Sequence, residues 1–214
     1  MKKDLTELVF ILDRSGSMSG LERDTIGGFN EMIGKQKAGE GNALVTTVLF
    51  DDEYELLHDR VDLGELVPLS DEDYFVRGTT ALLDAVGKTI SRITDAQRRT
   101  AEEKRAERVM FVITTDGMEN ASREYGYEKV RKMVEYQKSE FGWEFIFLGA
   151  NIDAVAEAVR FGIGKNRAAN FRADSTGTSK SFYSLGEAVS NFREKDCISE
   201  KWSEAVDEDY EKRD

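Results

Sequence analysis

Cysteine, proline and histidine are nearly absent from this 214-residue chain, with one of each at Cys197, Pro68 and His58. A single cysteine excludes an internal disulfide. It also favours a reducing compartment, read here as the cytoplasm. A catalytic triad would need His58 beside a serine, and a surface histidine is the expectation. No apolar run approaches the ~20 residues of a membrane span. The stretch after Met1-Lys2-Lys3-Asp4-Leu5-Thr6-Glu7 is too short for the core of an export signal. Neither GxxxxGK[ST] nor GxGxxG occurs, which leaves nucleotide binding little support. Basic charge is outweighed as well: 30 Lys and Arg against 42 Asp and Glu leave a net charge of −12. That balance argues against nucleic acid and anionic membranes as partners.

What the chain does have is apolar material, 40% of its residues, enough for one large domain. The organising stretch runs from Leu8 to Ser19. Leu8-Val9-Phe10-Ile11-Leu12 is apolar without alternation, the pattern of a strand buried on both faces. Asp13 ends it, and a small, hydroxyl-rich loop follows. Ser19 and Glu22 have capping-box spacing, which predicts a helix starting there. Asp13, Ser15 and Ser17 then offer three oxygens from alternate positions of one loop.

The pattern repeats along the chain. Ile26, Phe29 and Ile33 have helical spacing, with turn composition at Ala38–Asn42. Residues 43–50 read as a buried strand. After the turn Asp51-Asp52-Glu53, alternation over Tyr54–His58 predicts an antiparallel edge strand. A loop over 59–78 leads to Gly78-Thr79-Thr80 and a helix carrying Leu82, Val86, Ile90 and Ile93. The segment 95–108 is dense in both charges. Arg98/Glu102 and Arg99/Glu103 suit a solvated helical extension. Val109–Ile113 is another buried strand, ending in Thr114-Thr115-Asp116-Gly117. A helix with Tyr127, Val130, Val134 and Phe141 on one side follows. Then come a strand at 145–148, a short helix marked by Val155, Ala158 and Val159, and a weak strand at 168–171. Phe182, Leu185, Val189 and Phe192 form a last helical stripe. The fold class this predicts is α/β: a doubly wound, Rossmann-like, mostly parallel sheet with one antiparallel edge strand and helices on both faces. If it is doubly wound, the strands ending at Asp13 and Asp116 are neighbours at the switch point, where ligands bind.

Two carboxylates and several hydroxyls make a hard-oxygen set suited to Mg²⁺, Mn²⁺ or Ca²⁺. Hydroxyls are neutral ligands, so the ion would keep much of its charge and an exchangeable position. A partner's carboxylate could take that position.

Asp13-Arg14-Ser15-Gly16-Ser17 resembles the DxSxS motif of the von Willebrand factor type A (vWA) domain. Gly78-Thr79 resembles the family's loop threonine, and Thr114-Thr115-Asp116-Gly117 its second acid. All three elements of the metal-ion-dependent adhesion site, MIDAS, stand in family order. The resemblance implies a Rossmann-like sheet with an antiparallel edge strand. It also implies a metal held by Ser15, Ser17 and Thr79, with Asp13 and Asp116 ligating directly or through water. Thr80 could replace Thr79 in that role. No adhesive export signal is evident, which points to the intracellular branch, whose members scaffold complexes or work beside ATPases.

The domain is placed at residues 1–193, with an acidic tail over 194–214. The tail is charged and nearly coreless apart from Ile198, Trp202 and Val206. It could be disordered, dock on the domain, or occupy a neighbour's metal site. The oligomeric state is not legible. Asp51-Asp52-Glu53 and Asp71-Glu72-Asp73 lack EF-hand spacing and read as solvated acids. Cys197 reads as a spare thiol.

The function expected is a non-enzymatic, cation-dependent module that binds a protein partner through an acidic residue. The competing reading is a metal-dependent phosphohydrolase using Asp13 as nucleophile. Such enzymes typically need a second acid two residues on, where this chain has Ser15.

Overall fold

The computed structural model describes residues 1–213. Six strands form a single sheet: β1 (Lys2–Asp13), β2 (Asn42–Phe50), β3 (Tyr54–Asp62), β4 (Ala106–Thr115), β5 (Glu144–Gly149) and β6 (Ala168–Asn170), in the order β3-β2-β1-β4-β5-β6. Among the described residues only the β2–β3 pair is antiparallel, a hairpin that places β3 at one edge. The other pairs are parallel. Strand order reverses between β1 and β4, so the carboxyl ends of these two strands open the crevice where the loops can part.

The helices are α1 (Glu22–Ala38), α2 (Leu82–Arg99), α3 (Tyr127–Phe141), α4 (Ala154–Arg160), α5 (Ser175–Lys195) and α6 (Glu204–Lys212). They divide between two cores, and β1 shows why. Leu8, Phe10 and Leu12 join the residues of α1 and α5 in one core. Val9 and Ile11 join those of α2, α3 and α4 in the other. Side chains alternate along a strand, so an unbroken apolar run serves both faces. Helix α1 sits close on α5 at Gly28, where a Cβ would lie 2.5 Å from the Phe182 ring.

Local details depart from the sequence pattern. The Ser19–Glu22 capping box does not form. Residues Gly16–Met18 make a 3₁₀ turn, α1 starts after Leu21 without a side-chain cap, and the Glu22 carboxylate accepts from the Gly20 N–H. The charged segment after α2 is not a helical extension. Helix α2 stops at Arg99, the Arg105 guanidinium donates to the Thr100 carbonyl, and β4 already begins at Ala106 to pair with β1. The chain turns extended at Thr100 and Glu102–Lys104 form a separate 3₁₀ turn, so the pairs Arg98/Glu102 and Arg99/Glu103 do not share one helix. Phe141 and Val159 lie exposed; Ala154 and Ala158 form the buried side of α4. His58, expected on the surface, is half-buried opposite Thr47, and burial holds its pKa below the usual value.

The C-terminal segment is folded onto the domain. Helix α5 runs through the boundary expected at residue 193. Ile198, Trp202 and Val206 are all buried in the α1–α5 core. The Trp202 indole N–H donates to the Asn166 carbonyl at 2.9 Å. Asp209 on α6 pairs with Lys180 of α5, and Arg213, just past α6, pairs with Asp174. Three apolar side chains at suitable spacing outweigh an otherwise solvated composition once α5 offers them a face. No helix among the described residues is long and apolar enough to cross a membrane.

Candidate metal centre

Asp13 is the last residue of β1, buried where the strand meets the crevice. Its Oδ1 accepts the Ser15 N–H at 2.7 Å, an Asx turn that folds the loop back on itself. Its Oδ2 accepts from the Thr115 hydroxyl at the end of β4. The Tyr74 phenol, fully buried, donates to the Asp13 carbonyl. These contacts place Ser15 Oγ and Ser17 Oγ 3.2 Å apart, with Ser17 directed at the end of β4. There Ser17 Oγ donates to Asp116 Oδ1 at 2.5 Å.

The third contribution comes from the start of α2. Thr80 is buried and its hydroxyl donates to Ser15 Oγ at 3.0 Å. Thr79 is exposed, with its backbone N–H turned toward Asp52. The structure therefore brings Asp13, Ser15, Ser17 and Asp116 together with Thr80, and leaves Thr79 outside the cluster. The cause is the turn at Gly78, whose φ of +66° sets the register of the following pair. A side chain there would run into Asp52.

Burial dominates the electrostatics. It raises the Asp13 pKa from an ordinary carboxylate value to about 6, against hydrogen bonds from Thr115 and Ser15 that pull it down. Burial also raises Asp116. One oxygen of Asp116, Oδ2, is buried and accepts no hydrogen bond. A buried carboxylate oxygen without a donor is costly and calls for a cation or water.

The donor set fits a hard divalent ion. Ligands at ~2.1 Å around an octahedral ion lie about 3.0 Å from each other. The Ser15–Ser17 and Ser15–Thr80 separations of 3.2 and 3.0 Å are close to that edge. Gly117 leaves space beside these oxygens: a Cβ there would stand 2.9 Å from Thr80 Oγ1 and 3.0 Å from Ser17 Oγ. Among the described residues no three His, Cys, Asp or Glu side chains gather as a metal site. This cluster offers two carboxylates and three neutral hydroxyls, five donor side chains for the six positions of an octahedral ion.

Several neighbours carry no sequence signal of their own. Arg14 is wholly buried between two cluster residues; its Nε donates to Asp51 Oδ2 at 2.9 Å and its Nη1 lies 2.7 Å from Glu55 Oε2. Arg77 donates to the same Asp51 oxygen. So Asp51, expected to be a solvated acid, is a buried counter-ion that holds the loop. Phe75 lies over both guanidiniums and stays 45% exposed; Met118, just past Gly117, is 66% exposed. Thr115, Glu119 and Asn120 also belong to the surroundings. Thr115 lies in the strand end Thr114-Thr115-Asp116-Gly117 read from the sequence; Glu119 and Asn120 had only their place after it to mark them.

No family model and no curated protein matches the sequence. Solved structures do resemble the fold. A von Willebrand factor type A protein from Catenulispora acidiphila superposes with a TM-score of 0.57 at 12% identity, over 88% of this chain and 43% of that one. Proximal thread matrix protein 1 from the mussel byssus, with a zinc-occupied MIDAS motif, gives 0.59 at 13% identity, over 86% and 46%. Manganese-loaded TRAP protein from Plasmodium vivax gives 0.54 at 14% identity, over 85% and 74%. The chain spans just under half the length of the first of the structures it matches. Two of these neighbours hold divalent metals. With its six-stranded, mostly parallel sheet, single antiparallel edge strand and flanking helices, this chain has the fold of a vWA domain.

Proposed function

We propose that this protein is a divalent-cation-dependent protein-binding module that captures a carboxylate of its partner. Ser15, Ser17 and Thr80 would hold the cation through their hydroxyls, and Asp13 and Asp116 directly or through water. Mg²⁺ is the ion we assign, with Mn²⁺ and Ca²⁺ as alternatives of the same hardness. When bound, the ion supplies an electrophilic position for an outside anion. The chain's own residues do the rest. Asp13 fixes the loop through Ser15, Thr115 holds Asp13, and Ser17 fixes Asp116. Phe75 and Met118 offer exposed apolar contacts beside the site, the residue types enriched in binding surfaces.

One observation carries this reading: Ser15 Oγ stands at octahedral-edge spacing from both Ser17 Oγ and Thr80 Oγ1, beside a buried Asp116 oxygen that lacks a donor. Calorimetry with Mg²⁺ and Mn²⁺ on the wild type and on Asp116→Ala tests it. Binding heat in the wild type, lost in the variant, is expected; equal heats overturn it. Affinity capture with Mg²⁺ and then with EDTA should reveal a partner released on chelation.

The phosphohydrolase reading is less well supported. Both oxygens of Asp13 are engaged, and its side chain is 1% exposed. A nucleophile needs a free oxygen facing its substrate. We place the module in the cytoplasm, as a scaffold or ATPase-associated component, and the exposed, unpaired Cys197 supports a reducing setting.

A further inference from the structure

The start of α2 lacks a cap of its own. Ala81 occupies the N-cap position and has no side-chain acceptor to offer. The first N–H groups of a helix need acceptors from somewhere. Here they come from the loop that follows Asp116. Glu119 Oε2 accepts the Leu83 N–H at 2.8 Å, and Ser122 Oγ accepts the Asp84 N–H at 2.9 Å. Asp84 returns the favour, accepting the N–H groups of Arg123, Glu124 and Tyr125 at 2.9–3.0 Å. Glu119 also binds its own loop through the Ala121 and Ser122 N–H groups.

The reciprocal bonding is closest at Thr80. Asn120 Oδ1 accepts the Thr80 N–H at 2.9 Å. The N–H groups of Asn120 and Ala121 donate to the Thr80 carbonyl at 3.0 and 3.2 Å. Both backbone polar groups of Thr80 are thus held by the loop that carries Asp116, while its hydroxyl is left to reach Ser15.

We propose that Asn120, with Glu119, is a positioning residue that locks Thr80 to the Asp116 loop, so that oxygens from two sequence-distant loops form one preorganised half of the metal site. The proposal rests on the metal reading above and names the residues that make the site rigid. Removing such supporting contacts typically costs 10- to 100-fold in metal affinity. A helix cap serving stability alone would lower the melting temperature and leave affinity for the ion unchanged.

The test uses the full chain, Mn²⁺ as probe, and four proteins: wild type, Asn120→Ala, Thr80→Ala and the double variant. Asn120→Ala should bind Mn²⁺ about tenfold more weakly. In the Thr80→Ala background, which keeps the backbone bonds but has no hydroxyl to aim, the same change should cost nothing further. Glu119→Gln provides a second, milder break of the same lock and should weaken Mn²⁺ in the same direction. In metal-free wild type the Thr80 amide should exchange slowly, and in Asn120→Ala quickly. Undiminished Mn²⁺ affinity in Asn120→Ala, full additivity in the double variant, or a fast-exchanging Thr80 amide in the wild type would each overturn the lock. If the wild type itself took up no Mn²⁺, the metal reading would fail, and the lock would lose its role with it.

Discussion

Asp13→Asn replaces the most strongly perturbed carboxylate of the site with a neutral side chain of the same shape. Burial raises the folded-state pKa of Asp13 from 3.8 to about 6. A raised carboxylate pKa means that the metal-free fold prefers the protonated form. The fold therefore carries no ionisation penalty well below pH 4, where Asp13 is protonated both folded and unfolded, a growing one between 4 and 6 as the unfolded chain releases the proton first, and a constant one above 6. Two pKa units at ~1.36 kcal/mol each put the plateau at about 3 kcal/mol at pH 7.5 and leave less than ~1 kcal/mol at pH 4. Asparagine removes that dependence and can keep the local bonds. Its oxygen can accept the Ser15 N–H, and its amide can donate to Thr115 Oγ1, whose own proton then turns to the Gly117 carbonyl 3.1 Å away. Urea denaturation in EDTA should show the variant gaining on the wild type as pH rises, by about 2–3 kcal/mol between pH 4 and 7.5. With Mg²⁺ present, the wild type should recover stability by ligand linkage while the variant does not. A difference between the two proteins that stays flat with pH in EDTA would refute the reasoning.

Three further outcomes follow from the same geometry. Thr80→Ala should weaken Mn²⁺ binding at least tenfold and Thr79→Ala should leave it within about twofold, measured by calorimetry, since only Thr80 reaches Ser15. Gly117→Ala places a methyl against the Ser17 and Thr80 oxygens; overpacking of this kind costs about 1–3 kcal/mol, and here it should appear mostly as lost Mn²⁺ affinity in the same titration. Trp202→Ala should destabilise the whole domain by about 3–5 kcal/mol in chemical denaturation, in one transition, because the indole is buried in the α1–α5 core.

Much of the architecture was legible because its strands are buried on both faces. Apolar runs at Leu8–Leu12 and Val109–Ile113 leave little choice of structure, and each delivers an acid at its end. Alternation over Tyr54–His58 likewise marked the antiparallel edge. What escaped depended on contacts made across the chain. The register at Thr79-Thr80 is set by the positive φ of Gly78, a property of the folded turn rather than of the two identical residues after it. Asn120 and Glu119 sit in turn composition and acquire a role only when α2 arrives with an uncapped end. Asp51 read as solvated because its partners, Arg14 and Arg77, are far away in sequence. The fate of residues 194–213 rested on whether Ile198, Trp202 and Val206 would find a face, which only the packing of α5 decides.

The most direct test of the account is a crystal structure grown with Mn²⁺, read through the metal's anomalous scattering. A single strong peak within ligand distance of Ser15 Oγ, Ser17 Oγ and Thr80 Oγ1, beside Asp116, is the predicted result. A map with no peak there, from a protein whose Asp13, Thr80 and Asp116 are otherwise placed as described, would contradict it.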